Sequence, residues 1–231
     1  MLRSHSLMTA QPLLVAIVGV TGSGKTTLTE TIADRLGRSR VSIVSQDSYY
    51  RDPGDLPVKA RATLNYDVPE AFDRSLFLKH LRVLRSGLTI RVPVYSFESH
   101  ARTDQTRPVG PREIILVDGL LLLFDPKIRG LFDLTIFVDA PTPVRLQRRM
   151  RRDIAERGRT ASAVLTQFFN TVQPSHEAYV EPTKVFADLV LPNTGRLEEC
   201  VEAAAGAILT RFSQRNRKRG ERDVHPQWHR A

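Results

Sequence analysis

Residues 19–26 read GVTGSGKT, a spacing of glycines, one lysine and one hydroxyl that suits a polyphosphate. Gly19, Gly22 and Gly24 let the backbone turn tightly and aim N–H groups inward at the anion. Lys25 brings a positive charge to the β- and γ-phosphates, and the Thr26 hydroxyl suits a divalent cation. Ser23 and Thr27 flank the lysine and belong to the same candidate site. The helix expected to follow presents its positive end to the phosphates. A second oxygen for the cation should follow another buried strand, and residues 113–119, EIILVDG, supply Asp118. An aspartate at a strand end can also cap a turn. Asp47, in SQDSYY at 45–50, follows a further apolar run. At the carboxyl end of a strand beside the phosphate loop it could orient a hydroxyl or accept its proton. Capping explains an aspartate there equally well.

Arginine supplies the remaining charge. The chain of 231 residues has a net charge of +9, and two segments hold the excess. Residues 145–159 carry seven arginines against Asp153 and Glu156. Residues 211–231 carry seven Lys or Arg against Glu221 and Asp223. Arg145, Arg148, Arg149 and Arg152 share a helical face by spacing. Such a face can clamp a triphosphate, although a solvated basic surface has the same pattern.

The elements that must position these groups alternate along the chain. Leu13–Val18, Val41–Ser45, Ile114–Val117, Leu134–Val138 and Leu189–Leu191 read as strands covered on both faces. Helical periodicity appears at Thr26–Leu36, Phe72–Leu84, Val144–Glu156, Ala161–Phe169 and Leu197–Phe212, with Thr142 as N-cap and Pro143 as first helical residue of the third. The alternation predicts an α/β fold with a doubly wound parallel sheet. Residues 48–69 read as a loop over the sheet edge, and residues 89–109 as a hairpin insert. The expected organisation is a flexible N-terminus at 1–12, one domain at 13–212 with an arginine-rich helical lid at about 144–171, and a basic, disordered tail at 213–231.

Composition narrows the class further. Cys200 is the single cysteine, so a reducing compartment and no structural zinc are expected. Leu13–Val18 is too short to span a membrane, which takes roughly 20 residues. No N-K-x-D guanine-reading motif and no L-S-G-G-Q motif occurs. One phosphate loop with an arginine-rich helix favours phosphoryl transfer to a small hydroxyl compound.

The motifs SQDSYY, NYDVPEAFD, VPVYSFESH, ILVDG and RRDIAERGR follow the phosphate loop in this order. From about Leu13 to Pro192 the chain thereby resembles the uridine kinase (uridine–cytidine kinase) family of P-loop kinases. The resemblance implies transfer of the γ-phosphate of ATP or GTP, with Mg²⁺, to the 5′-hydroxyl of uridine or cytidine. It implies that Asp47 acts on that hydroxyl and that Asp67 grips the ribose hydroxyls. Tyr95 and His100 would meet the pyrimidine, with Gln167 a further nucleoside contact and Tyr50 and Tyr66 lining the same pocket. Arg149, Arg152, Arg157 and Arg159 would close over phosphates and nucleoside. Thr26 and Asp118 would hold the metal. The resemblance also implies a cytoplasmic homo-tetramer serving pyrimidine salvage.

Three positions depart from the family pattern. Val68 stands where the family often has His, Asp118 where it usually has Glu, and Pro192-Asn193-Thr194-Gly195 where it tends to read P-R-G. A related kinase acting on another hydroxyl compound, phosphoribulokinase-like or pantothenate-kinase-like, shares the general layout. A non-enzymatic alternative is polyanion binding through Arg215, Arg217, Lys218, Arg219 and Arg222. No folded nucleic-acid readout motif accompanies them, so no specific nucleic acid is expected.

Overall fold

The computed structural model describes residues 11–223. Its centre is a five-stranded sheet in the order β2-β5-β1-β6-β7. The strands are β1 (Leu13–Val18), β2 (Val41–Ser45), β5 (Ile114–Gly119), β6 (Leu134–Asp139) and β7 (Leu189–Pro192). All of these pairings are parallel. β1 is buried along its whole length, as a central strand with both faces covered must be. Leu13, Val15 and Ile17 pack with Leu28 and Ile32 of α1 (Lys25–Leu36) and with Val201, Ala204 and Ile208 of α8 (Leu197–Asp223). Leu14, Ala16 and Val18 turn to the other face. There they meet a second apolar cluster containing Phe77, Leu81 and Leu84 of α3 (Arg74–Arg85).

Parallel register brings the chemistry to one edge. Asp118 pairs with Ile17 on one side and with Ser45 on the other. The phosphate loop, Asp118 and Asp47 therefore leave three adjacent strands at the same end. The buried Gln46 side chain accepts the Leu121 N–H at 2.9 Å, tying the segment that carries Asp47 to the one that carries Asp118.

Residues 90–109 form an antiparallel hairpin, β3 (Ile90–Ser96) and β4 (Ala101–Val109), with an irregularity between Pro93 and Tyr95. Arg102 latches it to the body. Its guanidinium donates to the Asp73 carboxylate at 3.2 Å and to the Tyr49 carbonyl at 3.0 Å. α5 (Thr142–Arg157) ends at Gly158 in the left-handed conformation, φ 62°. The chain then re-enters helix as α6 (Ala161–Gln167) and continues to Val180 through two wide π turns flanking α7 (Gln173–Ser175).

Several details differ from the sequence reading. The N-cap of α5 is Pro141, and Thr142 is already its first residue. The Thr142 hydroxyl accepts from Arg145 at 2.9 Å instead of capping a backbone N–H. Residues 48–69 contain a short helix, α2 (Val58–Arg61), and α4 (Pro126–Arg129) caps itself with Asp125. The helix expected over Leu197–Phe212 runs further, since α8 continues to Asp223. Arg211 donates to the Asp133 carbonyl, and Arg215 donates to the Pro12 carbonyl and the Asp133 carboxylate at 2.8 and 2.7 Å. These bonds hold the helix to the body where the apolar stripe has ended, and Arg, Gln and Lys are adequate helix formers without one. Residues 1–10 of the expected flexible N-terminus and 224–231 of the expected tail lie outside the described residues.

Candidate active site

The phosphate loop has the geometry its glycines allow. Gly22 and Gly24 have φ of 76° and 86°. A Cβ at Gly22 would collide with the Arg145 backbone, and one at Gly24 with the Asn193 amide. Gly24 is also the N-cap of α1 and brings no side chain to it, and the first turn holds no acidic residue. The first N–H groups of α1 are thus left for an anion. Gly19 and Ser23 take structural places instead. The Gly19 N–H donates to the Gly119 carbonyl and the Ser23 N–H to the Val20 carbonyl. The Ser23 side chain is fully buried, and neither residue lines the two cavities described below. The Ser23 carbonyl accepts from Asn193 Nδ2 at 2.8 Å and from Arg148 at 3.1 Å. The loop is therefore braced from the residue that follows β7 and from α5.

The Thr26 hydroxyl donates to Asp118 Oδ2 at 2.7 Å, and the other Asp118 oxygen is buried without a partner. Burial raises the Asp118 carboxyl above the usual range, opposed by Lys25. An orphaned carboxylate oxygen beside a threonine hydroxyl is an oxygen donor set suited to Mg²⁺, which completes its shell with phosphate and water.

Two cavities meet at this point. The first is lined by Lys25, Thr26, Asp47, Asp67 and the aromatic group Tyr50, Tyr66, Tyr95, Phe97 and His100. Tyr50 packs against Tyr66 and Tyr95 with ring centres 5.2 and 5.1 Å apart. His100 stacks on Tyr66 at 5.5 Å and an interplanar angle of 20°. His100 has φ 51°, the only positive value outside glycine among the described residues. That conformation costs about 1–2 kcal/mol, and it belongs to the tight turn that places the ring over Tyr66. Burial, with Arg159 and Arg157 nearby, lowers the His100 pKa and keeps the ring neutral at pH 7. Burial raises the Asp67 carboxyl, with Arg149 pulling it down. Asn65 shapes its turn by accepting the Asp67 N–H at 2.9 Å. The second cavity runs along Gly22, Gly24, Thr27, Arg148 and Asn193.

Asp153, fully buried on α5, organises the arginines. Arg149, Arg152, Arg157 and Arg159 reach its carboxylate at 3.3, 2.9, 3.6 and 3.8 Å. Gln167 Oε1 accepts from Arg149 at 2.7 Å and from Arg159, which leaves its NH₂ for a ligand. Arg149 and Arg152 also approach the Thr21 hydroxyl of the phosphate loop at 3.3 and 3.4 Å. Arg145 is different from its neighbours in sequence. It is buried, bonded to Ala140, Thr142 and Gln173, and lines neither cavity. The structure thus brings together Lys25, Thr26, Asp47, Tyr50, Tyr66, Asp67, Tyr95, His100, Arg149, Arg152, Arg157, Arg159 and Gln167 around one cavity. Phe97, Thr21, Asn193 and Asp153 are additions, and Arg148 of the expected arginine face lines the second cavity. For Asp153 the signal was present in the sequence, since Arg149 and Arg157 sit four positions before and after it. Phe97 and Asn193 come into place only through the fold.

The match to known proteins covers most of the chain. Residues 14–198 match the model of the phosphoribulokinase/uridine kinase family. A uridine kinase of Clostridium perfringens is 42% identical over 86% of this chain and 95% of its own length. One of Alkaliphilus metalliredigens is 39% identical over 89% of this chain and 99% of its own. Phosphoribulokinase of Rhodobacter spheroides superimposes with a TM-score of 0.60 at 18% identity, covering 79% of this chain and 70% of that one, which is a likeness of fold. The chain belongs to the phosphoribulokinase/uridine kinase family.

Proposed function

We propose that the protein is a uridine/cytidine kinase, transferring the γ-phosphoryl group of ATP to the nucleoside 5′-hydroxyl. The observation that carries this reading is one cavity lined at once by Asp47, by Lys25 and Thr26 of the phosphate loop, and by Asp67 with the Tyr/His aromatic group. The aromatic faces suit a pyrimidine, and the Asp67 carboxylate can accept hydrogen bonds from two vicinal ribose hydroxyls. Asp47 orients the 5′-hydroxyl and takes its proton as the phosphorus–oxygen bond forms. Lys25, Arg152 and Arg157 neutralise charge spreading over the transferring group, and the phosphate loop holds the donor. Thr26 and Asp118 would hold Mg²⁺, which would supply charge neutralisation for the donor phosphates. GTP is a second candidate donor. Pyrimidine salvage in the cytoplasm by a homo-tetramer is the setting that the motif set suggests, and no helix among the described residues is long and apolar enough to cross a membrane.

The test is purified protein with Mg–ATP and uridine or cytidine, read as nucleoside monophosphate and ADP. Stoichiometric formation of both is expected. Folded protein that makes no product with either nucleoside overturns the reading.

A further inference from the structure

Phe97 and Arg157 line both cavities, and they touch each other. The Arg157 guanidinium sits over the Phe97 ring, 4.9 Å from its centre. The two residues come from the two parts of the chain that stand outside the sheet. Phe97 directly follows β3 of the hairpin, and Arg157 is the last residue of α5. Phe97 also packs edge-on against Tyr95 at 5.3 Å, so its ring is continuous with the aromatic group of the first cavity. Arg157 in turn is a distant partner of Asp153 at 3.6 Å. That distance is longer than a hydrogen bond, so the carboxylate alone does not fix the guanidinium.

We propose that Phe97 is a positioning residue for Arg157, and that this contact couples occupancy of the aromatic cavity to affinity for the triphosphate. The inference rests on the nucleoside kinase reading above. A planar guanidinium over a ring is attracted by the ring's negative face and gains as water leaves the contact. Filling the aromatic cavity packs Tyr95 and Phe97, removes water from the Phe97 face, and steadies Arg157 where the donor phosphates enter. Coupling of this kind is reciprocal, so Mg–ATP raises nucleoside affinity by the same factor. Its expected size, set by a partly exposed cation–π contact, is about 2- to 30-fold.

The experiment measures binding of Mg²⁺ with a non-hydrolysable ATP analogue, by calorimetry, with and without saturating uridine or cytidine. In the wild type the nucleoside should tighten analogue binding several-fold. Phe97→Leu keeps an apolar side chain but removes the ring, and it should abolish that factor. Phe97→Tyr keeps the ring and should preserve the factor. Arg157→Gln should lose it too, and the double variant should lose no more than either single one. The proposal is overturned by a wild type with no coupling, or by Phe97→Leu that retains it. It is equally overturned if Phe97→Tyr loses as much as Phe97→Leu. A wild type that phosphorylates uridine or cytidine but shows one of these results refutes the coupling alone. A wild type that phosphorylates neither refutes the functional reading as well.

Discussion

Asp47 and Asp67 share one cavity but have different physical tasks. Asp47 sits at the end of β2, its N–H donating to the Ser45 hydroxyl at 3.3 Å, where a carboxylate can meet a hydroxyl next to the phosphates. Asp47→Asn should keep binding of an Mg–ATP analogue and lose at least about 100-fold in kcat, which steady-state kinetics beside calorimetry would show. Asp67 lies deeper, and burial raises its pKa above an unfolded value of about 3.9. The folded chain then holds this proton more tightly than the unfolded chain. Between those two pKa values stability falls as pH rises. Asp67→Asn should therefore raise the melting temperature of the unliganded protein at neutral pH and flatten this part of its pH profile, while the nucleoside KM rises steeply. Thermal unfolding across pH 3 to 7 with a KM determination checks both. Asp153 is a fully buried carboxylate surrounded by four guanidinium groups. Asp153→Asn leaves those charges without their shared partner. A loss of roughly 3 kcal/mol is expected, with a fall in kcat, read by chemical denaturation and turnover.

At the scale of elements, the site depends on segments braced against one another. The phosphate loop is fixed by Asn193, the residue after β7, and by Arg148 from α5, both on the Ser23 carbonyl. Gly22 leaves no space for a side chain against the Arg145 backbone. Gly22→Ala, forced into a positive φ and a backbone collision, should lose measurable analogue binding while the rest of the domain stays folded; calorimetry with circular dichroism would show the split. The last helix is held in the same manner. Arg215, with about 18% of its side chain exposed against 17% for Asp133, anchors α8 to the body. Arg215→Ala should cost about 1–2 kcal/mol, seen as a lower denaturation midpoint with little change in KM. Legibility differed among elements. β1, α1 and the hairpin could be read from apolar runs, the phosphate loop and alternation. The extension of α8 to residue 223 could not, because it rests on hydrogen bonds to Asp133 and Pro12, more than 75 positions away, and not on a local apolar stripe.

For the whole molecule, a parallel sheet of order β2-β5-β1-β6-β7 gathers three strand ends at one edge, and the hairpin and the arginine helix close over them. The net charge of +9 divides accordingly. Most of the arginines at 145–159 face phosphate sites or Asp153, whereas Arg145, Arg211 and Arg215 serve as structural braces. The amino-acid order by itself determined the phosphate loop, the two strand-end carboxylates, the aromatic hairpin and the family, because those signals are local patterns of residue type and spacing. Only the tertiary structure decided which groups share the cavity. It showed that Ser23, Gly19 and Arg145 are internal supports, that Asp153 ties four arginines together, and that Phe97 meets Arg157. Each of these depends on contacts between segments far apart in the chain, whose distances follow from sheet register and packing and leave no trace in local spacing.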